Sequence, residues 1–305
     1  MELSVAFTIL TFVGLSTAAL WGYEDNGASK WAEIFDTCGM KSQSPINIET
    51  SDATLETSLG NMTMTGYDTP VALTIKNNGH TAQVDVTGNQ YISNGGLSEQ
   101  YKLAQFHFHW GSDDTKGSEH QINSNTYPME VHFVHYKNSL GSLGGSVNEK
   151  EGLAVLGFMF EISDSDNAHY ADLISKLADI TAYNTSNVVS LTNAALMNFM
   201  PSKPTNFFRY SGSLTTPSCN EVVVWTVFTE TIKISKTQMA IFRTLMSSEH
   251  GPNNEHYHIK DNFRPVQPLH SRPVLFNFYT SSATAAHITV YTGILSLILS
   301  TILSH

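Results

Sequence analysis

Two histidines one residue apart, His107 and His109, sit inside the aromatic run Gln105-Phe106-His107-Phe108-His109-Trp110. Successive side chains of a β-strand point to opposite faces, so the two imidazoles share one face while Phe106 and Phe108 turn to the other. Such a pair is either half of a metal site or simply two half-buried strand histidines, and the spacing alone does not choose. A second segment, Glu130-Val131-His132-Phe133-Val134-His135, alternates in the same way and offers His132 as a third nitrogen ligand. Three protein ligands with a fourth position left for water are the donor set of a catalytic zinc ion. Glu130 shares the face of His132, and a metal-bound imidazole normally passes its other N–H to a carboxylate or carbonyl.

The elements that must position these groups read as a strand-rich chain with a few helices. Apolar or alternating runs at Val71 to Ile75, Gln83 to Val86, Leu153 to Phe160 and Val222 to Phe228 are bounded by Gly, Asn, Ser or Pro clusters and predict strands. Ala171 to Ile180 carries Leu173, Ile174, Leu177 and Ala178 at helical spacing, and Ser235 with Gln238 resembles a capping box before Met239, Ile241, Phe242 and Leu245. Both predict helices lying on the sheet. At 305 residues, 41% of them apolar, with no internal repeat and composition shifts only at the ends, the chain is expected to form one folded domain, residues 19–280.

The two ends carry processing signals. Val5 to Leu15 is an apolar run reaching small residues at Ser16-Thr17-Ala18-Ala19, as in a secretory signal peptide over residues 1–18, although Glu2 is its only charged side chain. A buried N-terminal strand is the alternative. Residues 281–305 contain no Asp, Glu, Lys or Arg, and their 16-residue apolar stretch, Ile288 to Leu303, is short for a spanning helix. Small residues at Ser281-Ser282-Ala283 ahead of that stretch fit a glycosylphosphatidylinositol (GPI) attachment signal with a short spacer; an interfacial helix or short tail anchor is the alternative. In the secretory pathway, Cys38 and Cys219 are expected to form one disulfide rather than two buried thiols. Asn61 and Asn184 head glycosylation sequons. With 16 basic against 27 acidic residues and no basic cluster, nucleic acid is disfavoured as a partner. No feature of the sequence sets an oligomeric state.

Four segments together resemble one family. Gln105 to Gly111, Gly117-Ser118-Glu119-His120, Glu130-Val131-His132 and Gly212-Ser213-Leu214-Thr215-Thr216-Pro217 occur in the order and approximate spacing of the α-class carbonic anhydrases. The resemblance continues through Trp21-Gly22-Tyr23, Gln43-Ser44-Pro45-Ile46, Asn78-Gly79-His80, Leu153 to Gly157 and Asn262-Phe263-Arg264-Pro265. It implies a single mixed α/β, mainly β domain: a large twisted, mostly antiparallel sheet of about ten strands with short surface helices, and zinc at the base of a cone-shaped cleft. It also implies hydration of CO2 to bicarbonate and a proton by zinc-bound hydroxide. A related binding or matrix protein that has lost a ligand is the alternative, and all three histidines are present.

Carried over residue by residue, the resemblance makes His107, His109 and His132 the Zn²⁺ ligands, with Gln105 and Glu130 as hydrogen-bond partners of His107 and His132. Thr215 and Glu119 match a hydroxyl-carboxylate relay: ionised Glu119 can only accept, so Thr215 donates to it and its oxygen accepts from the nucleophile. Thr216 is similar to a residue that hydrogen-bonds active-site water and bicarbonate. The CO2 wall falls to Val134, Val155, Leu214, Val223 and Trp225. His80, after the turn-like Asn77-Asn78-Gly79, becomes the proton shuttle, expected to be exposed at the cleft mouth and to titrate near the ordinary histidine value of about 6.5. Tyr23, Asn78 and Gln83 match positions lining the shuttle's water network. Cys38 and Cys219 match the disulfide of extracellular members. Ser218 stands where family members often carry a second proline, so a looser turn or a trans peptide after Pro217 is expected.

Overall fold

The strand bearing the histidine pair, Tyr101–Trp110, lies near the middle of a 13-stranded sheet in the computed structural model, which describes residues 21–24, 27–183 and 188–278. The signal peptide expected over residues 1–18, the tail over 281–305 and the Asn184 sequon lie outside the described residues. Asn61 is exposed, just before the strand Met62–Thr65.

We label the strands that matter for the site β1 (Val71–Asn77), β2 (Ala82–Thr87), β3 (Tyr101–Trp110), β4 (Met129–Lys137), β5 (Leu153–Ser163), β6 (Val188–Ala194), β7 (Phe207–Gly212) and β8 (Val223–Phe228). Their order across the sheet is β6-β1-β2-β3-β4-β5-β8-β7, and Leu275–Phe276 and Thr54–Leu55 extend the β7 edge to a ten-strand path. Of these eight strands, only the β5–β8 pair is parallel. Each predicted strand is present. The expected helices are Ala171–Leu177, continued by a 3-10 turn at Ala178–Ile180, and Lys236–Phe242, whose Ser235–Gln238 capping box is complete.

One irregularity in β3 sets the faces. Strict alternation from His107 and His109 back along the strand would put Tyr101 and Leu103 on the imidazole face. The pairing of β3 with β4 shifts register between Leu103 and Gln105, a bulge at Ala104 that reverses the parity. Tyr101, Leu103, Phe106, Phe108 and Trp110 therefore all enter one core cluster. Phe106 stacks on Phe133 of β4 at 4.8 Å and Phe108 meets Phe242 of the helix at 5.0 Å. A second cluster, with Val134, Val155, Val223 and Trp225, forms separately around Ile46, Ile48, Phe208 and Phe276.

Cys38 and Cys219 form a disulfide 181 residues apart in sequence, linking the N-terminal segment to the loop after β7. The peptide between Pro217 and Ser218 is cis, against the trans bond expected from Ser218. That loop is held from outside itself, by the Thr37 hydroxyl donating to the Ser218 carbonyl and by the bridge at Cys219, so its geometry does not depend on a second proline.

A buried polar pair sits under the sheet. His135 of β4 meets the Ala154 carbonyl through Nδ1 at 3.1 Å and the Tyr67 hydroxyl through Nε2, and burial pushes its pKa down to about 3. The unfolded chain takes up a proton near 6.5 and the folded chain only near 3, so this group's contribution to stability is complete above 6.5 and is lost as pH falls toward 3. Across that window one proton gives a slope of about 1.4 kcal/mol per pH unit. His135→Gln is expected to flatten the pH dependence of urea unfolding between pH 6.5 and 4 relative to the parent chain; an unchanged slope contradicts a buried neutral imidazole.

Candidate active site

Register across β3 and β4 assembles the three histidines. His107 pairs directly with His132, and His109 with Glu130, so the third imidazole lies across the strand boundary from the first. His132 is in turn opposite Gly157 of β5, where a Cβ would come 3.1 Å from the Glu130 carboxylate and crowd it. The three rings lie 4.6 to 5.4 Å apart, centroid to centroid, and one nitrogen from each falls within 4.8 Å of the others.

Hydrogen bonds on the far side of each ring decide which nitrogen faces the centre. His107 Nδ1 meets Gln105 Oε1 at 2.9 Å, His109 Nδ1 meets the Asn262 carbonyl at 2.7 Å, and His132 Nε2 meets Glu130 Oε1 at 2.7 Å. A carbonyl or carboxylate oxygen only accepts, so each of these nitrogens carries the proton and the lone pairs point inward from Nε2, Nε2 and Nδ1. His109 Nε2 is buried with no hydrogen-bond partner among the described residues. Burial lowers the pKa of all three imidazoles, that of His109 to about 4, and repulsion from the other two adds to the depression at His107. They are held neutral, as metal ligands must be.

Glu130 is buried, and burial alone would raise its pKa. His120 and His132 oppose this by charge and hydrogen bonding and hold it well below the usual carboxylate range. Its Oε2 accepts from the backbone N–H of Glu119 and of His120 at 2.8 Å each, and its Oε1 also meets His120 Nδ1 at 2.7 Å. Glu119 is thereby fixed beside the triad. Its Oε1 accepts from the Arg264 amide at 2.8 Å, whereas Oε2 has no hydrogen-bond partner among the described residues and stands 3.5 Å from His109 Nε2 and 3.8 Å from His132 Nδ1. Burial raises the pKa of Glu119 to about 7, with the Thr215 hydroxyl among the groups pulling it back down. A divalent cation among the three lone pairs would reverse that elevation. Three inward lone pairs, an orphaned buried nitrogen and an adjacent carboxylate fit Zn²⁺.

A cavity of about 130 Å³ opens on one side of this centre, lined by His107 and His109 together with Tyr23, Asn78, His80, Gln83 and Thr216. Asn78 Nδ2 donates to Gln83 Oε1 at 3.1 Å, and Asn78 Oδ1 accepts from the His80 and Thr81 amides. His80 departs from the exposed position expected of it. Its ring stacks on Trp21 at 4.0 Å with 13° between the planes, Nδ1 is buried, and burial lowers its pKa to about 4. The turn does leave the ring unsupported locally; it is the distant Trp21 that covers it. On the other side Val155 is the register partner of both Val134 and Trp225, Val223 follows on β8, and Leu214 packs against this cluster. Thr215 is buried and Thr216 half-buried in the loop after β7, where the Ser213 carbonyl accepts from Trp225 Nε1 at 2.9 Å.

Residues 26–278 match the family model of eukaryotic-type carbonic anhydrase. The chain belongs to the carbonic anhydrase family. It is 37% identical over 286 residues to carbonic anhydrase 4 of Rattus norvegicus, covering 90% of each chain. It is 33% identical over 285 residues to carbonic anhydrase 6 of Mus musculus, covering 91% of this chain and 87% of that one. The histidine triad is thus a carbonic anhydrase zinc site, and its surroundings support CO2 hydration.

Three supporting groups escaped the sequence reading: the Asn262 carbonyl behind His109, the Arg264 amide on Glu119, and His120, which joins Glu130 to the Tyr210 hydroxyl at 2.7 Å. Asn262-Phe263-Arg264-Pro265 is visible as a family motif, but main-chain donors and acceptors have no side-chain signature. Because Glu130 accepts four N–H groups, Glu130→Gln in this carbonic anhydrase is expected to weaken zinc binding by about 10- to 100-fold while circular dichroism stays native. Competition against a chromophoric chelator measures it; unchanged affinity would remove Glu130 from support of the metal.

Proposed function

We propose that this protein is a zinc enzyme of the cell exterior that interconverts CO2 and water with bicarbonate and a proton, and that His80 exports the proton. The observation that carries the catalytic reading is the convergence of three tautomer-locked, neutral imidazoles on one point beside a buried carboxylate. Zn²⁺ held by His107, His109 and His132 supplies Lewis acidity that makes water nucleophilic at neutral pH.

The chain's own residues do the rest. Ionised Glu119 accepts from Thr215, which leaves the Thr215 oxygen to accept a hydrogen bond from the nucleophile and so turn the nucleophile's lone pair toward the substrate. Val134, Val155, Leu214, Val223 and Trp225 offer an apolar surface to CO2, which has no net dipole and gains little from polar neighbours. Thr216 borders the cavity and can hydrogen-bond water or bicarbonate. Tyr23, Asn78 and Gln83 line the route between the ligands and His80. Stacked on Trp21, His80 is depressed to about 4 and holds a proton poorly at neutral pH, so shuttling requires the ring to leave the stack for water.

His107→Ala is expected to lose zinc and hydration activity together, whereas His80→Ala keeps its zinc and loses kcat only in weak buffer, with imidazole restoring it. Stopped-flow CO2 hydration alongside metal analysis separates the two. Activity in His107→Ala would overturn the catalytic reading, and an unaffected His80→Ala would remove that residue from the mechanism.

The Cys38–Cys219 bridge belongs to an oxidising compartment, and among the described residues no helix is long and apolar enough to cross a membrane. Together with the apolar leader 1–18 ahead of a catalytic domain at 19–280, the bridge supports export; the small residues and apolar stretch of the tail 281–305 support attachment by a GPI anchor, with Asn61 and Asn184 as glycan acceptors. Phosphatidylinositol-specific phospholipase C is expected to release hydration activity from membranes of expressing cells. Activity that stays with the membrane after treatment argues for a retained tail.

A further inference from the structure

Away from the ligands, the hairpin Met246–His250 and His256–His258 brings two imidazoles side by side. His250 and His256 are register partners across this antiparallel pair, with ring centroids 4.1 Å apart and planes inclined by 44°. Both are exposed. Imidazole lone pairs lie in the ring plane, so from a separation shorter than the 4.6 to 5.4 Å of the catalytic triad the two exposed rings rotate apart to aim one nitrogen each at a shared ion. The connecting loop is closed by Gly251 N donating to Glu255 O at 2.8 Å and Asn254 N to Gly251 O at 2.9 Å, which keeps the two rings opposite one another.

His256 is prepared in the same way as His109. Its Nδ1 lies 3.1 Å from the Ser247 carbonyl, which only accepts, so Nδ1 carries the proton of that bond and Nε2 keeps its lone pair. Imidazole nitrogens select Cu²⁺, Ni²⁺ and Zn²⁺ over the oxygen-seeking Mg²⁺ and Ca²⁺, with Cu²⁺ the tightest of the series.

We propose that His250 and His256 form a second, exchangeable site for a divalent transition-metal ion, outside the catalytic cleft, with water completing the coordination. Among the described residues, groups of three convergent donors occur only around the catalytic histidines and Glu130, so this is a two-imidazole site and binds more weakly than the catalytic one. It is mechanically joined to the cleft. Ser248 N and Ser247 Oγ donate to the Gly79 carbonyl at 3.0 and 3.2 Å, and the Glu249 carboxylate accepts from Tyr23 N at 2.8 Å. An ion bridging the hairpin grips the strand against which the turn before His80 rests.

The zinc-loaded protein, titrated with Cu²⁺ and followed by electron paramagnetic resonance and zinc analysis, tests this. The expected result is one equivalent of Cu²⁺ bound with two-nitrogen hyperfine structure while zinc is retained. Loss of even an outer partner of a metal ligand costs about 10- to 100-fold. His250→Ala and His256→Ala are each expected to weaken Cu²⁺ by about tenfold or more, and His169→Ala, at an exposed histidine elsewhere, to leave it unchanged. Equal Cu²⁺ affinity in the parent and the His250→Ala/His256→Ala double variant overturns the proposal, as does copper that binds only by displacing zinc.

Discussion

A buried, ionised carboxylate holds the centre of this molecule together. Glu130 has no exposure, yet it stays charged because four N–H groups converge on its two oxygens, from the Glu119 and His120 backbone and the His120 and His132 rings. Those bonds do two different things. One sets the tautomer of a zinc ligand, and two pin the loop that delivers Glu119 beside the same metal point. Gly157 on the neighbouring strand supplies the room, since a methyl group there would press on the carboxylate at 3.1 Å. Truncating such a group to an apolar side chain strands several donors at once in a low-dielectric interior, whereas an isosteric amide keeps an oxygen there and loses the charge.

The two-residue periodicity of the chain made much of this legible. His107 and His109 on one face, with Phe106 and Phe108 on the other, follow from alternation, and the structure places both phenylalanines in the core. Alternation fails just upstream. Tyr101 and Leu103 have the parity of the histidines but join the core of the phenylalanines, because the bulge at Ala104 inserts one residue into β3. Nothing local announces that bulge: it exists because β3 must match β4 on both sides of it. The capping box at Ser235 was readable for the opposite reason, since all of its bonds lie within four residues.

Two of the three groups that stayed hidden in the site share one property, sequence distance. The Asn262 carbonyl reaches His109 across 153 positions, and the Arg264 amide reaches Glu119 across 145. Both contacts use main-chain atoms, which any residue type provides. Trp21 is a similar case: its stack on His80 turns an expected exposed imidazole into a half-buried one with a strongly lowered pKa, and only the folded chain brings the two rings together. Local chemistry therefore identified the ligands and the partners Gln105 and Glu130 two residues from them, while the Asn262, Arg264 and Trp21 contacts come from segments joined by the fold.

Strand order then separates the polar from the apolar surroundings of the metal point. Protons need a polar, water-filled exit, and CO2 needs a surface that water does not compete for. The ligands occupy β3 and β4. On the β2 side lie Gln83 and the turn carrying Asn78 and His80; on the other side β4, β5 and β8 present Val134, Val155, Val223 and Trp225. Polar and apolar side chains thus keep to separate flanks of the same sheet, and the loop after β7 carries Thr215 and Thr216, tied to the N-terminal segment through Cys219. Because adjacent strands fix one another's register, moving either flank by one residue would exchange polar for apolar side chains at the metal. The segregation of polar cleft from apolar wall is therefore a consequence of sheet topology, and it holds only while β3 and β4 keep the pairing that also assembles the zinc ligands.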